Sequence, residues 1–213
     1  MTLQLFAEES LSPLHFERQA LKNGYKAVAG IDEAGRGPLA GPVVAAAVIL
    51  PSVHDLPGLT DSKKLSARKR DELFPLIRQQ ARAIGVGIVS AEEIDAINIL
   101  KATIQAMSLA VNRLRFSADY LLIDGITPLP EQTPQLTLKK GDSRSLSIAA
   151  ASVVAKVVRD RMMIAYDRRF PGYGFAGHKG YGSAAHMESI ARLGPSPIHR
   201  RTFAGVREHV VDL

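Results

Sequence analysis

An α/β fold, a mixed sheet with helices packed on it, is predicted by three features of the sequence. Short apolar, partly β-branched runs occupy 27–31 and 42–50, helical periodicity runs from 97 to 114 and again from 145, and carboxylates stand where apolar runs stop. The third feature carries the function. Val28-Ala-Gly-Ile runs into Asp32 and Glu33 and then a glycine-flanked arginine, Gly35-Arg36-Gly37. Like charges at a buried strand end are costly unless protons or cations compensate, so this end reads as the floor of a site.

The elements follow in order. Ser12-Pro13 is a helix start and Asn23-Gly24 a stop, giving a short opening helix within residues 1–24. Ala27–Ile31 and Pro42–Leu50 read as two neighbouring strands across a Gly/Pro-rich connection. Ser66 caps a helix running toward Ile84, with Leu73, Phe74 and Ile77 inward and Pro75 as a kink. Ile84–Val89 is a third strand, and Ser90 with Glu93 makes a capping box. Ile97, Leu100, Ile104, Met107, Val111 and Leu114 recur at helical spacing and are read as core. Tyr120–Ile123 is a strand running into Asp124-Gly125, and Gln135–Leu138 is a fifth, leading to Lys139-Lys140-Gly141-Asp142. The longest helix runs from Ser145 to about Arg168, opened by Asp142, and the remainder is glycine-rich, basic and loop-heavy.

Composition narrows the class. At 213 residues, 46% hydrophobic and 23% charged, the chain fits one globular domain rather than a disordered tail. The absence of cysteine excludes disulfides and thiolate metal sites. No run approaches the roughly 20 apolar residues of a membrane span, and Met1–Glu9 lacks the basic region of a signal peptide. A cytoplasmic monomer without membrane contact is the expectation. A net charge of +6 is consistent with a polyanionic partner.

Four acids carry the candidate chemistry. Asp32 and Glu33 end one strand, Asp124 ends another and Asp142 precedes the long helix. If those elements are neighbours, the carboxylates converge and demand hard divalent cations such as Mg²⁺ or Mn²⁺. Two such ions about 4 Å apart would support in-line hydrolysis of a phosphodiester. Each acid has a plainer reading: Asp32-Glu33 as a polar turn, Asp124-Gly125 as a turn, Asp142 as a helix cap. Basic groups surround them in sequence: Arg36, Lys63-Lys64, Lys139-Lys140, His178-Lys179 and His199-Arg200-Arg201, which could hold a phosphate backbone or form solvated faces. Tyr173, Phe175 and Tyr181 interleave with glycines in a loop that could stack on a sugar or base, with core packing the alternative. His186 and His199 are read as structural or phosphate-facing rather than metal ligands.

Two other classes remain to be separated. Gly35-Arg-Gly37-Pro-Leu-Ala40, with Asp55 beyond, has the spacing of a dinucleotide fingerprint, but Pro38 and Pro42 stand where a helix should open. A non-catalytic nucleic-acid binder would keep the basic loops without needing four acids.

Longer stretches resemble the bacterial type 2 ribonucleases H, the ribonuclease HII family. They are Gly30–Pro42, Asp61-Ser-Lys-Lys-Leu65, Ile123-Asp-Gly125, Lys140–Lys156 and His178-Lys-Gly-Tyr-Gly182. The resemblance covers nearly everything beyond the first 24 residues. It implies a ribonuclease H-like fold, a five-stranded mixed sheet flanked by helices, in one catalytic domain spanning 1–213. A helical and loop-rich segment from about 170 to 213 would bind substrate. It implies cleavage of RNA in RNA/DNA hybrids and 5′ of ribonucleotides embedded in duplex DNA, serving ribonucleotide removal and primer processing. Asp32, Glu33, Asp124 and Asp142 would hold two Mn²⁺ or Mg²⁺ ions. Gly35, Arg36 and Gly37 would contact the ribose 2′-hydroxyl and the neighbouring phosphate, and Tyr181 would stack on the adjoining deoxyribose. Lys63, Lys64, Ser143, His178 and Lys179 complete the expected substrate contacts. Leu3-Gln-Leu-Phe6 resembles peptides that dock on replication clamps, with an ordinary apolar N-terminus as the alternative.

Overall fold

Five strands form one sheet in the computed structural model, which describes residues 12–210: β1 Val28–Ala34, β2 Val43–Ile49, β3 Ala83–Val89, β4 Tyr120–Asp124 and β5 Gln135–Leu138. Their order across the sheet is β3-β2-β1-β4-β5. The β1/β2 and β2/β3 pairs are antiparallel, whereas β1/β4 and β4/β5 are parallel. The mixed sheet follows from the connections. A short Gly/Pro-rich link joins β1 to β2, a long connection bearing α2 (Ala67–Gln80) joins β2 to β3, and α3 (Ala91–Ile97) with α4 (Ile99–Asn112) carries the chain across to β4.

Helices cover both faces. Side chains of β2 alternate, so Ala45, Ala47 and Ile49 pack with α4 while Ala46 and Val48 pack with α5 (Leu146–Arg169) and α2 (Ala67–Gln80). Both contacts are unusually close. A Cβ at Gly85 or Gly87 would collide with the Ala110 or Ala106 carbonyl of α4, and one at Gly30 would collide with the Ser147–Ile148 backbone of α5. Glycines in the strands therefore bring strand backbone against helix backbone on each side of the sheet, opposite alanines on the α4 side and opposite Ser147 and Ile148 on the α5 side.

Several sequence expectations shift. The first strand does not stop at Ile31: β1 continues through Asp32 and Glu33, paired with Ala46 and Ala45. The opening helix, α1 (His15–Lys22), starts at His15 rather than Pro13, because the Ser12 hydroxyl caps a turn by accepting from the Leu14 N–H at 3.4 Å. The stripe from Ile97 to Leu114 is only partly core. Leu100 is 48% exposed, and Ala102, Thr103, Ala106, Met107 and Ala110 fill the buried face, with the small residues Ala106 and Ala110 standing where the backbone meets Gly87 and Gly85. Asp142 does not open α5. It lies in a 3-10 turn at Gly141–Ser143, and the Ser145 hydroxyl caps the helix through the Ile148 N–H. Beyond α5, the segment expected to be helical and loop-rich carries α6 (Phe175–His178) and α7 (Ala184–Leu193).

Candidate active site

Parallel pairing of β1 and β4 places Ile31 opposite Ile123, so the next residues emerge together at one end of the sheet. Carboxylate oxygens of Asp32, Glu33 and Asp124 lie within 4.8 Å of one another there. The strand alternation that should separate Asp32 from Glu33 does not keep their oxygens apart at this end. Each acid is anchored differently. Asp32 is 2% exposed and accepts the Glu33 N–H at 2.7 Å, with Ser152 of α5 beside it as a minor influence that favours its charged form. Asp124 accepts the Gly141 N–H at 2.6 Å, which ties the Asp142 turn to the end of β4.

Asp142 stands outside that trio but close to it. Lys63 Nζ lies 3.8 Å from its Oδ2, and Asp61 is near enough to help raise its pKa. Asp61 was not among the site residues expected from sequence. Its signal was its place two residues before Lys63, where its Oδ1 accepts the Lys63 N–H at 2.8 Å and turns the lysine toward the acids.

The electrostatics are those of crowded anions. Burial, then the charges of Glu33 and Asp124, hold the Asp32 carboxyl well above its ordinary range. Burial also raises Glu33, with the Arg36 guanidinium, whose Nη1 is 3.6 Å from Oε1, pulling the other way. Asp142 is pushed up to about 6 by burial and then by Asp124 and Asp61. Burial opposes the charged form of Lys63, yet Asp32, Asp142, Asp61 and Asp124 together raise its pKa. An all-oxygen donor set held at such repulsion fits a hard divalent cation, which would relieve it.

Beside the acids, two loops meet. Gly37 faces the Tyr181 ring, 3.8 Å from where a glycine Cβ would stand, and the ring is 48% exposed. The C-terminal segment is stitched to the stretch after β1 by Leu39 N–H to Gly180 O, Gly41 N–H to Ile198 O and Arg200 N–H to Leu39 O, each 2.8 Å. Arg200, grouped by sequence with phosphate-binding bases, is fully buried and is structural.

Under Tyr181 lies a chain of histidines whose protons can be assigned. His199 Nδ1 accepts the Ser196 N–H at 2.8 Å, so its Nε2 carries the proton and donates to His186 Nε2 at 3.0 Å. His186 must then donate from Nδ1 to the Tyr181 carbonyl at 2.8 Å. Burial lowers both histidines, His199 to about 4, and the neutral chain ends on the residue expected to read the sugar. Phe175 is fully buried among these rings, as core.

The remaining expected contacts are placed as follows. Lys64 and Ser143 are exposed, the Ser143 hydroxyl donating to the Lys140 carbonyl at 2.9 Å. His178 Nδ1 accepts the Gly180 N–H and Nε2 donates to the Tyr173 carbonyl, so both ring nitrogens are committed to the backbone. Lys179 Nζ donates to the Ala176 carbonyl within its own loop.

The model of the family described as ribonuclease HII matches residues 29–206. The Ribonuclease HII of Syntrophotalea carbinolica is 67% identical over 98% of this chain and 100% of its own. Among solved structures, the ribonuclease H2 from Pyrococcus horikoshii OT3 is similar with a TM-score of 0.72 and 28% identity, over 86% of this chain and 96% of that one. A chain of the PCNA:RNase HII complex from Archaeoglobus fulgidus is similar with a TM-score of 0.69 and 30% identity, over 84% and 95%. An acid-lined end of a mixed five-stranded sheet and matches over almost the full length agree: the chain belongs to the ribonuclease HII family and is a hydrolase of the ribonuclease H type.

Proposed function

We infer that this chain cuts the RNA strand of RNA/DNA hybrids and cuts 5′ of ribonucleotides embedded in duplex DNA, leaving a 5′-phosphate and a 3′-hydroxyl. The observation that carries this reading is the meeting of Asp32, Glu33 and Asp124 oxygens within 4.8 Å at a sheet end flanked by the Gly35–Gly37 and Tyr181 loops. Asp32, Glu33, Asp124 and Asp142 would hold two divalent ions, Mg²⁺ or Mn²⁺. When bound, the ions supply the positive charge that acidifies water and neutralises the scissile phosphate. Arg36 and Lys63, beside Glu33 and Asp142, are placed to meet phosphate oxygens. Tyr181 against Gly37 leaves little space beside the sugar following the ribonucleotide. The 2′-hydroxyl is what distinguishes RNA from DNA at one residue, so a tight ring there favours a deoxyribose and senses the junction.

In this reading the whole chain is one catalytic domain, with 170–213 as its substrate-binding segment. The PCNA complex of the archaeal relative supports a replication clamp as a partner; Leu3–Phe6 lies outside the described residues. No helix among the described residues is long and apolar enough to cross a membrane.

Cleavage of an end-labelled RNA/DNA hybrid in Mg²⁺, Mn²⁺ or chelator tests the chemistry. Metal-dependent cutting with 5′-phosphate ends is expected; cutting in chelator, or 2′,3′-cyclic phosphate ends, would replace the metal site with a metal-free mechanism. The raised acids add a pH signature. A ligand must lose its proton to bind a cation, and Asp142 is pushed up to about 6. Mn²⁺ affinity measured calorimetrically should therefore weaken about tenfold per unit as pH falls below 6. Affinity unchanged between pH 7 and 5 would remove Asp142 from the ligand set.

A further inference from the structure

Arg200 and Arg159 are 0% and 1% exposed, and neither has a carboxylate within ion-pair distance among the described residues. Burial is what lowers both guanidiniums, Arg200 to about 9. A buried guanidinium costs several kcal/mol unless its donors are satisfied, and here main-chain carbonyls satisfy them. Arg200 donates to Gly35 O at 2.5 Å, Arg36 O at 2.7 Å and Gly41 O at 3.0 and 3.1 Å. Arg159 donates to Pro42 O, Ala40 O and Lys179 O at 3.0, 3.1 and 3.0 Å.

The direction of these bonds has a geometric consequence. The described peptides are all trans, and in a planar trans peptide the C=O and the following N–H point opposite ways. Carbonyls of Gly35 and Arg36 turned inward to Arg200 therefore turn the Arg36 and Gly37 N–H groups outward. Neither amide donates to another group of the described residues, and both residues are exposed.

We propose that Arg200 is a positioning residue for the ribose: by holding the Gly35 and Arg36 carbonyls inward, it presets the Arg36 and Gly37 amides as donors to the 2′-hydroxyl side of the substrate. This rests on the reading that the Gly35–Gly37 loop contacts a ribonucleotide. Arg159 adds the register between this loop and the one bearing Tyr181, through Lys179 O. Preset donors cost no reorganisation on binding, whereas free amides would have to be ordered.

Arg200→Lys keeps the cation but cannot fork across two carbonyls. Affinities for a DNA duplex with one ribonucleotide and for the same duplex in all DNA, measured with Ca²⁺ in place of the catalytic ion, give the readout. In the variant the ribonucleotide advantage should vanish while all-DNA affinity and Mn²⁺ affinity stay, and kcat/KM should fall about 100-fold, as for a misplaced contact. A parallel loss on both duplexes, or no loss, would mean Arg200 only supports the fold and would overturn the proposal. If the unmodified protein itself shows no ribonucleotide advantage, the parent reading of the loop fails instead. Should Arg200→Lys not fold, the unmodified protein decides: the Arg36 and Gly37 amides should exchange rapidly when free and become protected by the ribonucleotide duplex but not by all-DNA. Amides already protected, or indifferent to the ribose, overturn it.

Discussion

Asp124→Asn is expected to lower turnover by on the order of 1,000-fold while leaving duplex binding within about threefold, because it removes one charge from the centre of the acid cluster and little else. Asn keeps the shape and can still accept the Gly141 N–H that Asp124 accepts at 2.6 Å, so the turn bearing Asp142 stays in place. The same substitution should stabilise the metal-free protein. Asp124 helps to raise both Asp32 and Asp142, and a carboxyl raised in the folded state loses stability as pH rises through its folded pKa. Removing that repulsion returns stability at neutral pH, visible as a higher Tm in chelator. Loss of activity with a gain in Tm would mark a site built at the expense of stability. Unchanged turnover would remove Asp124 from the chemistry.

Gly30→Ala should do the opposite, destabilising by more than about 3 kcal/mol in urea unfolding. The new Cβ would lie 2.5 Å from the Ser147 carbonyl oxygen and closer still to the Ser147 carbon and Ile148 nitrogen. These are backbone atoms that no rotamer change can clear, so α5 must move off the sheet. Gly30 lies two residues before Asp32 on β1, and Ser152 of α5 stands beside that carboxylate, so the acid shifts with the contact and Mn²⁺ affinity should fall as well. Gly125→Ala is the comparison. Its φ is +99° and a Cβ would meet nothing within 4 Å, leaving only backbone strain of about 1–2 kcal/mol. Equal losses at the two positions would contradict the close packing of α5 on β1.

How far the sequence disclosed this site can be judged residue by residue. Asp32 and Glu33 were conspicuous because charge inside an apolar run has no ordinary reason to be there. Asp124 followed from the same logic at the end of a second apolar run, and the capping box at Ser90 and Glu93 formed as expected, because it is a local signal. What stayed hidden depends on non-local contact. The β1 strand runs on through its acids because β2 pairs with it at Ala45 and Ala46, and pairing partners leave no local trace. Leu100 looked like core by periodicity, yet the nearness of Gly85 and Gly87 hands the inner face of α4 to alanines. Arg200 and His186 read as surface or ambiguous because their burial depends on carbonyls 159 residues away and on a histidine 13 away in sequence. Asp61 hid in a polar loop, where aspartate is ordinary turn chemistry.

The most direct test is cleavage of an end-labelled DNA duplex carrying one ribonucleotide, beside the all-DNA duplex and an RNA/DNA hybrid, with Mg²⁺, Mn²⁺ or chelator. A single metal-dependent cut 5′ of the ribonucleotide, with the all-DNA duplex intact, is the predicted result. Cleavage of the hybrid alone would contradict the junction reading assigned to Tyr181 and the Gly35–Gly37 loop, and cleavage undiminished in chelator would contradict the metal-bearing role of Asp32, Glu33, Asp124 and Asp142.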